Sequence, residues 1–211
     1  MAWNITTAIL AYFIGSISFG VIFSRKFAGF DVREKGSKGA GTTNVLRSVG
    51  KGVAALTLLC DILKGIVAVV LALILGKILG DKANGALLIQ LAGIGAILGH
   101  TFPIFFEFRG GKGIATALGI LLITNYQIGL ICLVFALVLI ILTKTVSIGS
   151  IAAAILFPVL TMFINDNYIV NGNYIIFGIV VALLVIFNHR GNIKRIMDGN
   201  ENKLNFNKGG K

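Results

Sequence analysis

The sequence predicts an all-α, multi-pass membrane protein with about seven transmembrane helices, and three observations carry that expectation. Of the 211 residues, 56% are hydrophobic and only 13% are charged, with a mean hydropathy of +0.93. The apolar residues come in long runs separated by short polar stretches, the pattern of helices that cross a hydrocarbon core about 30 Å thick. The 19 lysines and arginines, against 8 acidic residues, collect in those polar stretches rather than on a soluble amphipathic face. The net charge of +11 is therefore read as belonging to cytoplasmic loops and anionic lipid headgroups, with no nucleic-acid partner. One integral-membrane domain, residues 1–211, accounts for the length.

The elements follow in order. The N-terminal M-A-W-N-I-T-T has no basic n-region, so the first apolar run, Trp3–Phe23, reads as a retained helix rather than a cleaved signal peptide. Gly15, Ser16, Ser18 and Gly20 give it a small-residue face for close helix approach. The stretch Ser24–Lys51 holds seven basic residues against Asp31 and Glu34, which makes it cytoplasmic. Its core, Gly36–Arg47, gathers Ser37, Thr42, Thr43 and Asn44 ahead of Arg47. These groups can donate to phosphate or sugar oxygens. Taken alone, the stretch reads as a flexible, solvated loop.

The second helix, Val53–Gly76, carries Asp61 and Lys64 on one face. Charges at membrane depth usually face protein or water, and a structural ion pair is favoured over a direct catalytic role. After the short outer turn Lys77–Asn84, the helix Gly85–Phe106 returns to the cytoplasm and delivers His100. The apolar run 114–124 is too short, at about 1.5 Å per residue, to span the core comfortably. Gln127–Leu142, Ile151–Ile164 with Pro158 inside it, and Tyr174–Phe187 complete the helices. Thr143–Ser150 is read as an inner loop, Asn165–Asn173 as an outer one, and a basic tail runs from Asn188 to Lys211. With the N-terminus outside and the C-terminus cytoplasmic, nearly all basic charge falls on one face. Cys60 and Cys132 both lie in apolar runs and suit neither a disulfide framework nor a metal site.

The most informative stretch is Gly99–Thr116, G-H-T-F-P-I-F-F-E-F-R-G-G-K-G-I-A-T. Gly110, Gly111, Lys112 and Gly113 stand just before an apolar run. Glycine backbone amides, a helix N-terminus and a lysine together suit a phosphate. The stretch is not a Walker A loop, because Phe106 stands where that loop needs glycine and Gly113 where it needs a hydroxyl. The bland alternative is a tight turn between membrane helices, with Arg109 and Lys112 facing lipid headgroups. Both histidines, the glycine loop and the hydroxyl- and amide-rich loop converge on one predicted membrane face, which favours a site.

Three segments carry a resemblance: G-S-x-x-x-G-x-T-N-V-L-R (Gly36–Arg47), G-H-x-F-P-x-F-x-x-F-R-G-G-K-G-x-A-T (Gly99–Thr116) and N-H-R-x-N-I-x-R (Asn188–Arg195). In order and spacing the chain resembles the bacterial acyl-phosphate:glycerol-3-phosphate acyltransferase family. Gly39, Thr42 and Ser18 depart from the pattern usual in that family. The resemblance implies a seven-helix protein of the bacterial cell membrane with a cytoplasmic active site. It implies acyl transfer from acyl phosphate to the 1-hydroxyl of glycerol 3-phosphate, giving lysophosphatidic acid and phosphate in phospholipid biosynthesis. It implies Gly110, Gly111, Lys112 and Gly113 on the donor phosphate, largely through backbone amides, and Ser37, Thr43, Asn44 and Arg47 with His189 and Asn192 on glycerol 3-phosphate. Ser147 and Ser150 complete the polar wall, with His100 also a substrate contact. Lys112, His189 and Asn192 are the expected catalytic residues. No cofactor and no metal are expected, and an enzyme that forms the acyl phosphate is the expected upstream partner.

The chemistry is reasonable on its own terms. An acyl phosphate already has a good leaving group, so the protein need only orient two anions and stabilise developing charge. The His-x-x-x-x-Asp pair of the other large glycerolipid acyltransferase class is absent: Phe105 follows His100 at that spacing, and Lys194 follows His189. The rival reading is a membrane transporter for a phosphorylated metabolite. It calls for ionisable groups along a path through the bilayer, whereas here the polar groups crowd one predicted face.

Overall fold

A computed structural model describes residues 2–80, 84–164 and 174–204. The predicted outer loop Asn165–Asn173, the middle of the Lys77–Asn84 turn and the end of the basic tail lie outside the described residues. All regular structure among those described is helical. Two compact units are present: residues 2–126 with Tyr174, and residues 127–164 with 175–204.

The first unit contains α1 (Ala2–Gly15), α2 (Phe19–Ala28), α3 (Thr42–Ser48), α4 (Lys51–Leu79), α5 (Gly85–Thr101) and α6 (Ile114–Thr124). Helix α4 shows the reversed amphipathicity of a membrane helix. Leu59, Leu63, Val67, Val70, Ile74 and Ile78 are exposed along one stripe, while Thr57, Asp61, Lys64, Gly65, Ala68 and Ala72 are buried. Apolar side chains face outward because lipid solvates them, and the polar ones turn inward to find partners. Small residues let backbones meet: a side chain at Gly15 would collide with the Ala96 backbone of α5, and one at Gly65 with the Thr116 carbonyl of α6.

The predicted first helix is broken. Residues 16–18 separate α1 from α2, and the Ile17 carbonyl accepts a 2.8 Å bond from Lys64 Nζ. The same nitrogen pairs with Asp61 Oδ1 at 2.8 Å. The pair expected on α4 thus ties that helix to the exposed backbone of the break.

The second unit contains the bulk of α7 (Tyr126–Thr143), α8 (Val146–Leu160), nearly all of α9 (Tyr174–Asn188), and α10 (Arg190–Met197). Gly149 of α8 sits against the Ala136 carbonyl of α7, and Gly178 of α9 against the ring of Pro158. Helix α8 begins five residues earlier than the sequence suggested. The predicted loop shrinks to Lys144 and Thr145, with Lys144 left-handed at φ 55°. Ser147 and Ser150 are therefore helical residues, not loop residues.

Every apolar run of the sequence forms a helix. Among the described residues, four stretches are long and apolar enough to cross a membrane: Ala2–Ala28, Lys51–Leu79, Gly85–Phe106 and Tyr126–Thr143. The pair α9 and α10, bent by 60°, makes five if taken as one span. Helices α6 and α8 fall below that length. At 11 residues, α6 is about 16 Å long.

Candidate active site

The stretch Ser24–Lys51 is an ordered structure, contrary to the solvated loop expected of it in isolation. Val32, Ala40 and Val45 are buried with Val21 and Ala54 in one apolar cluster, and Phe106 packs against it. Asn44 organises the segment. Its Nδ2 donates to the carbonyls of Val32, Lys35 and Gly39 at 2.8, 3.0 and 2.8 Å, and its Oδ1 accepts from the Ser37 amide at 2.9 Å. Gly36 is left-handed at φ 56° directly beside Asn44 Oδ1, where a side chain would collide. Asn44 is only 2% exposed, so the structure gives this expected substrate ligand a different task. Its carboxamide is saturated by backbone, and it shapes the turn that carries Ser37. Thr43 and Arg47, one turn apart on α3, and Ser37 lie toward the solvent-accessible side.

The glycine stretch packs against that segment within the first unit. After Pro103 comes a tight turn with Glu107 and Phe108 both left-handed, at φ 59° and 56°. The Gly110 amide donates to the Thr101 carbonyl at 3.1 Å and the Gly111 amide to the His100 carbonyl at 3.0 Å. Those two amides close the turn, which moves the candidate phosphate donors onward from where the sequence placed them. The amides at the start of α6 have no carbonyl one turn back within the helix, and Gly113 precedes them at φ 84°. Half-buried Lys112 stands beside this helix start. Thr116 Oγ1, in the first turn of α6, is buried with no hydrogen-bond partner among the described residues. Sequence reasoning quoted Thr116 in the motif but did not select it. A hydroxyl two residues inside an N-terminus beside a glycine loop is the signal that could have found it.

His100, expected to touch substrate, is buried beneath the loop. Its ring fills the space a Gly111 side chain would need, and its Nδ1 lies 3.5 Å from Asp61 Oδ1. It supports the loop from the α4 side.

In the second unit, His189 Nδ1 lies 2.8 Å from the Val185 carbonyl. Donation to that carbonyl makes Nε2 the acceptor in the neutral ring. Asn192 is held by Glu201. One carboxylate oxygen, Oε1, accepts from Asn192 Nδ2 at 2.7 Å and from Ser147 Oγ at 3.0 Å, while Oε2 accepts from Arg195 Nε at 2.8 Å. Burial pushes the Glu201 carboxyl pKa up, but bonds from Asn192, Arg195 and Ser147 outweigh it and hold the value below the usual range. Glu201 was not selected from the sequence. Its signal was faint: one of two carboxylates in a basic tail, three residues beyond Asp198. Ser150 is buried on α8, three residues from Ser147.

The family model for glycerol-3-phosphate acyltransferase matches residues 5–199. The chain belongs to the glycerol-3-phosphate acyltransferase family. A glycerol-3-phosphate acyltransferase of Thermoanaerobacter sp. (strain X514) is 43% identical over 96% of each chain. One from Neisseria meningitidis serogroup C (strain 053442) is 41% identical over 96% of this chain and 98% of its own. Among solved structures, the glycerol 3-phosphate form of PlsY (YgiH), an integral membrane glycerol 3-phosphate acyltransferase, superposes with a TM-score of 0.83 at 34% identity over 96% of each chain. Its lysophosphatidic acid form superposes with a TM-score of 0.80 at 32% identity, over 96% of this chain and 95% of that one. As a family member, this chain is an integral-membrane acyltransferase.

Proposed function

We propose that this protein transfers an acyl group from acyl phosphate to the 1-hydroxyl of glycerol 3-phosphate, releasing phosphate and lysophosphatidic acid for phospholipid synthesis. The observation that carries the reading is the join between the glycine loop and α6. Lys112, the left-handed Gly113 and the open amides of a helix start stand together, as an anionic leaving group requires. The same likeness to a structure in a glycerol 3-phosphate form supports the acceptor. Both compact units belong to one acyltransferase domain in this reading, since the family model runs unbroken from residue 5 to 199.

Lys112 and the start of α6 hold the donor phosphate and stabilise charge as it leaves. Ser37, Thr43 and Arg47 bind the phosphate and hydroxyls of glycerol 3-phosphate, with Arg47 matching the phosphate charge. His189 and Asn192 orient the acceptor, and Ser147 and Ser150 line its surroundings. The 1-hydroxyl oxygen attacks the acyl carbonyl carbon, and the bond from that carbon to the phosphate oxygen breaks. The departing phosphate takes the hydroxyl proton, so no side chain acts as general base. We place the protein in the bacterial cell membrane with seven membrane segments, the N-terminus outside and the chemistry on the cytoplasmic face. The support is the basic charge of residues 24–51 and 188–204. An enzyme that makes acyl phosphate stands upstream, because the donor must be supplied activated.

The test is purified, detergent-solubilised protein given palmitoyl phosphate and glycerol 3-phosphate. Equimolar phosphate and lysophosphatidic acid, identified by mass, are expected. Phosphate release that does not depend on glycerol 3-phosphate would overturn the reading.

A further inference from the structure

Asp31 and Arg33 form a buried pair that neither the three motifs nor the proposed chemistry uses. Arg33 is 5% exposed and Asp31 8%. Arg33 Nε lies 3.0 and 3.1 Å from the two Asp31 carboxylate oxygens, and its Nη2 2.8 Å from Oδ2. The carboxylate also accepts from the Arg33 amide at 2.9 Å and from Arg25 Nη2 at 2.8 Å. This leaves the other terminal nitrogen of the guanidinium pointing away from Asp31. Arg33 Nη1 donates to the Phe106 carbonyl at 2.6 Å and reaches the Arg109 carbonyl at 3.4 Å.

Those two carbonyls bracket Glu107 and Phe108, the consecutive left-handed residues. Left-handed backbone is unfavourable for residues with a side chain, and within the turn the Phe108 amide donates to the Pro103 carbonyl at 3.0 Å and the Arg109 amide to the Phe106 carbonyl at 3.1 Å. Three contacts from the N-terminal part of the chain brace it from outside. The Tyr12 hydroxyl donates to the Phe102 carbonyl at 2.7 Å, Arg33 grips Phe106 and Arg109, and the Ala40 amide donates to the Gly110 carbonyl at 3.2 Å. Each engages a carbonyl oxygen, the partial negative charge that would repel a phosphate. Of these three contacts, only Arg33 reaches carbonyls on both sides of the left-handed pair. A lysine could keep the charge but could not hold Asp31 through one edge and two carbonyls through the other.

Resting on the proposed acyl transfer, we infer that Arg33, oriented by Asp31, is a positioning residue for the acyl-phosphate donor: it sets the turn that delivers Lys112 and the start of α6. Asn44 performs the matching task for the segment that carries Ser37.

The test is a split of kinetic constants in detergent-solubilised protein, with the unsubstituted chain assayed alongside. Arg33→Lys should raise KM for palmitoyl phosphate about tenfold or more and change KM for glycerol 3-phosphate less than twofold. Asp31→Asn should shift the same constant in the same direction by a smaller factor. Equal changes in both constants, or unchanged kinetics, would overturn the assignment. If both variants fail to purify as monodisperse protein, the pair serves the fold as a whole and the positioning role is wrong. If the unsubstituted chain forms no product, the acyl-transfer reading fails instead.

Discussion

The two polar regions of this protein are built in opposite ways. In the first unit, two buried polar side chains of the segment between α2 and α4 bind backbone. Asn44 satisfies three carbonyls and an amide, and Arg33 reaches two carbonyls. In the second unit, one carboxylate, Glu201, gathers the side chains of Ser147, Asn192 and Arg195. The first arrangement makes a rigid backbone surface suited to phosphate, whose oxygens accept from amides and cations. The second fixes the orientation of individual side chains, which suits the placing of a hydroxyl. Asn44 and Arg33 thus shape loops, whereas Glu201 fixes how Ser147, Asn192 and Arg195 are held.

Substitutions can break this contrast, and the largest effect belongs to Lys112. Lys112→Ala should lower kcat/KM by about 10²–10³-fold, the usual effect of removing one donor to a developing anion, with little change in the melting midpoint. A loss below tenfold in a phosphate-release assay would move the donor site away from the glycine loop. Next comes Asn44→Ala. It strands buried carbonyls and an amide, at about 1–3 kcal/mol for each group left unsatisfied. KM for glycerol 3-phosphate should rise at least tenfold, with a lower thermal midpoint. Unchanged KM with reduced stability would show that the turn does not serve that substrate.

Glu201→Gln sharpens the other side. It keeps the shape but removes the charge that Arg195 and two neutral donors share, and activity should fall about tenfold. His189→Gln should cost several-fold, mainly in KM for glycerol 3-phosphate; near-full activity would remove even a positioning role.

The smallest effect is one of pH. Burial alone would raise the Asp31 carboxyl, but the bonds from Arg33 and Arg25 prevail and hold it at about 2. A carboxylate depressed in the folded state stabilises fully above its unfolded value of about 3.9. That stabilisation, about 2 kcal/mol, is lost as the pH falls toward 2. Asp31→Asn should therefore flatten the decline in thermal midpoint between about pH 4 and 2. An unaltered decline would show that Asp31 is not the group responsible.

The helices and the glycine loop were legible because their signals are local. Hydropathy runs mark α4, α5 and α7, and α6 was bounded at 114–124 by Gly113 and the polar residue after Thr124. The break at residues 16–18 was not legible, because the group that satisfies its freed carbonyl, Lys64, sits 47 residues away. Arg33 escaped notice for the same reason: it acts on a turn 73 residues further on and looks, in sequence, like one more cytoplasmic cation. Asn44 was selected, but its residue type fits a ligand contact and a loop clamp equally well. Only the carbonyls around it decide between them.

The central claim is that the donor is an acyl phosphate held at the start of α6. The most direct measurement offers the purified protein radiolabelled glycerol 3-phosphate with palmitoyl phosphate or with a palmitoyl thioester, and follows labelled lysophosphatidic acid. The account predicts product from palmitoyl phosphate alone, reduced about 10²–10³-fold in Lys112→Ala. Product formed as readily from the thioester would contradict it.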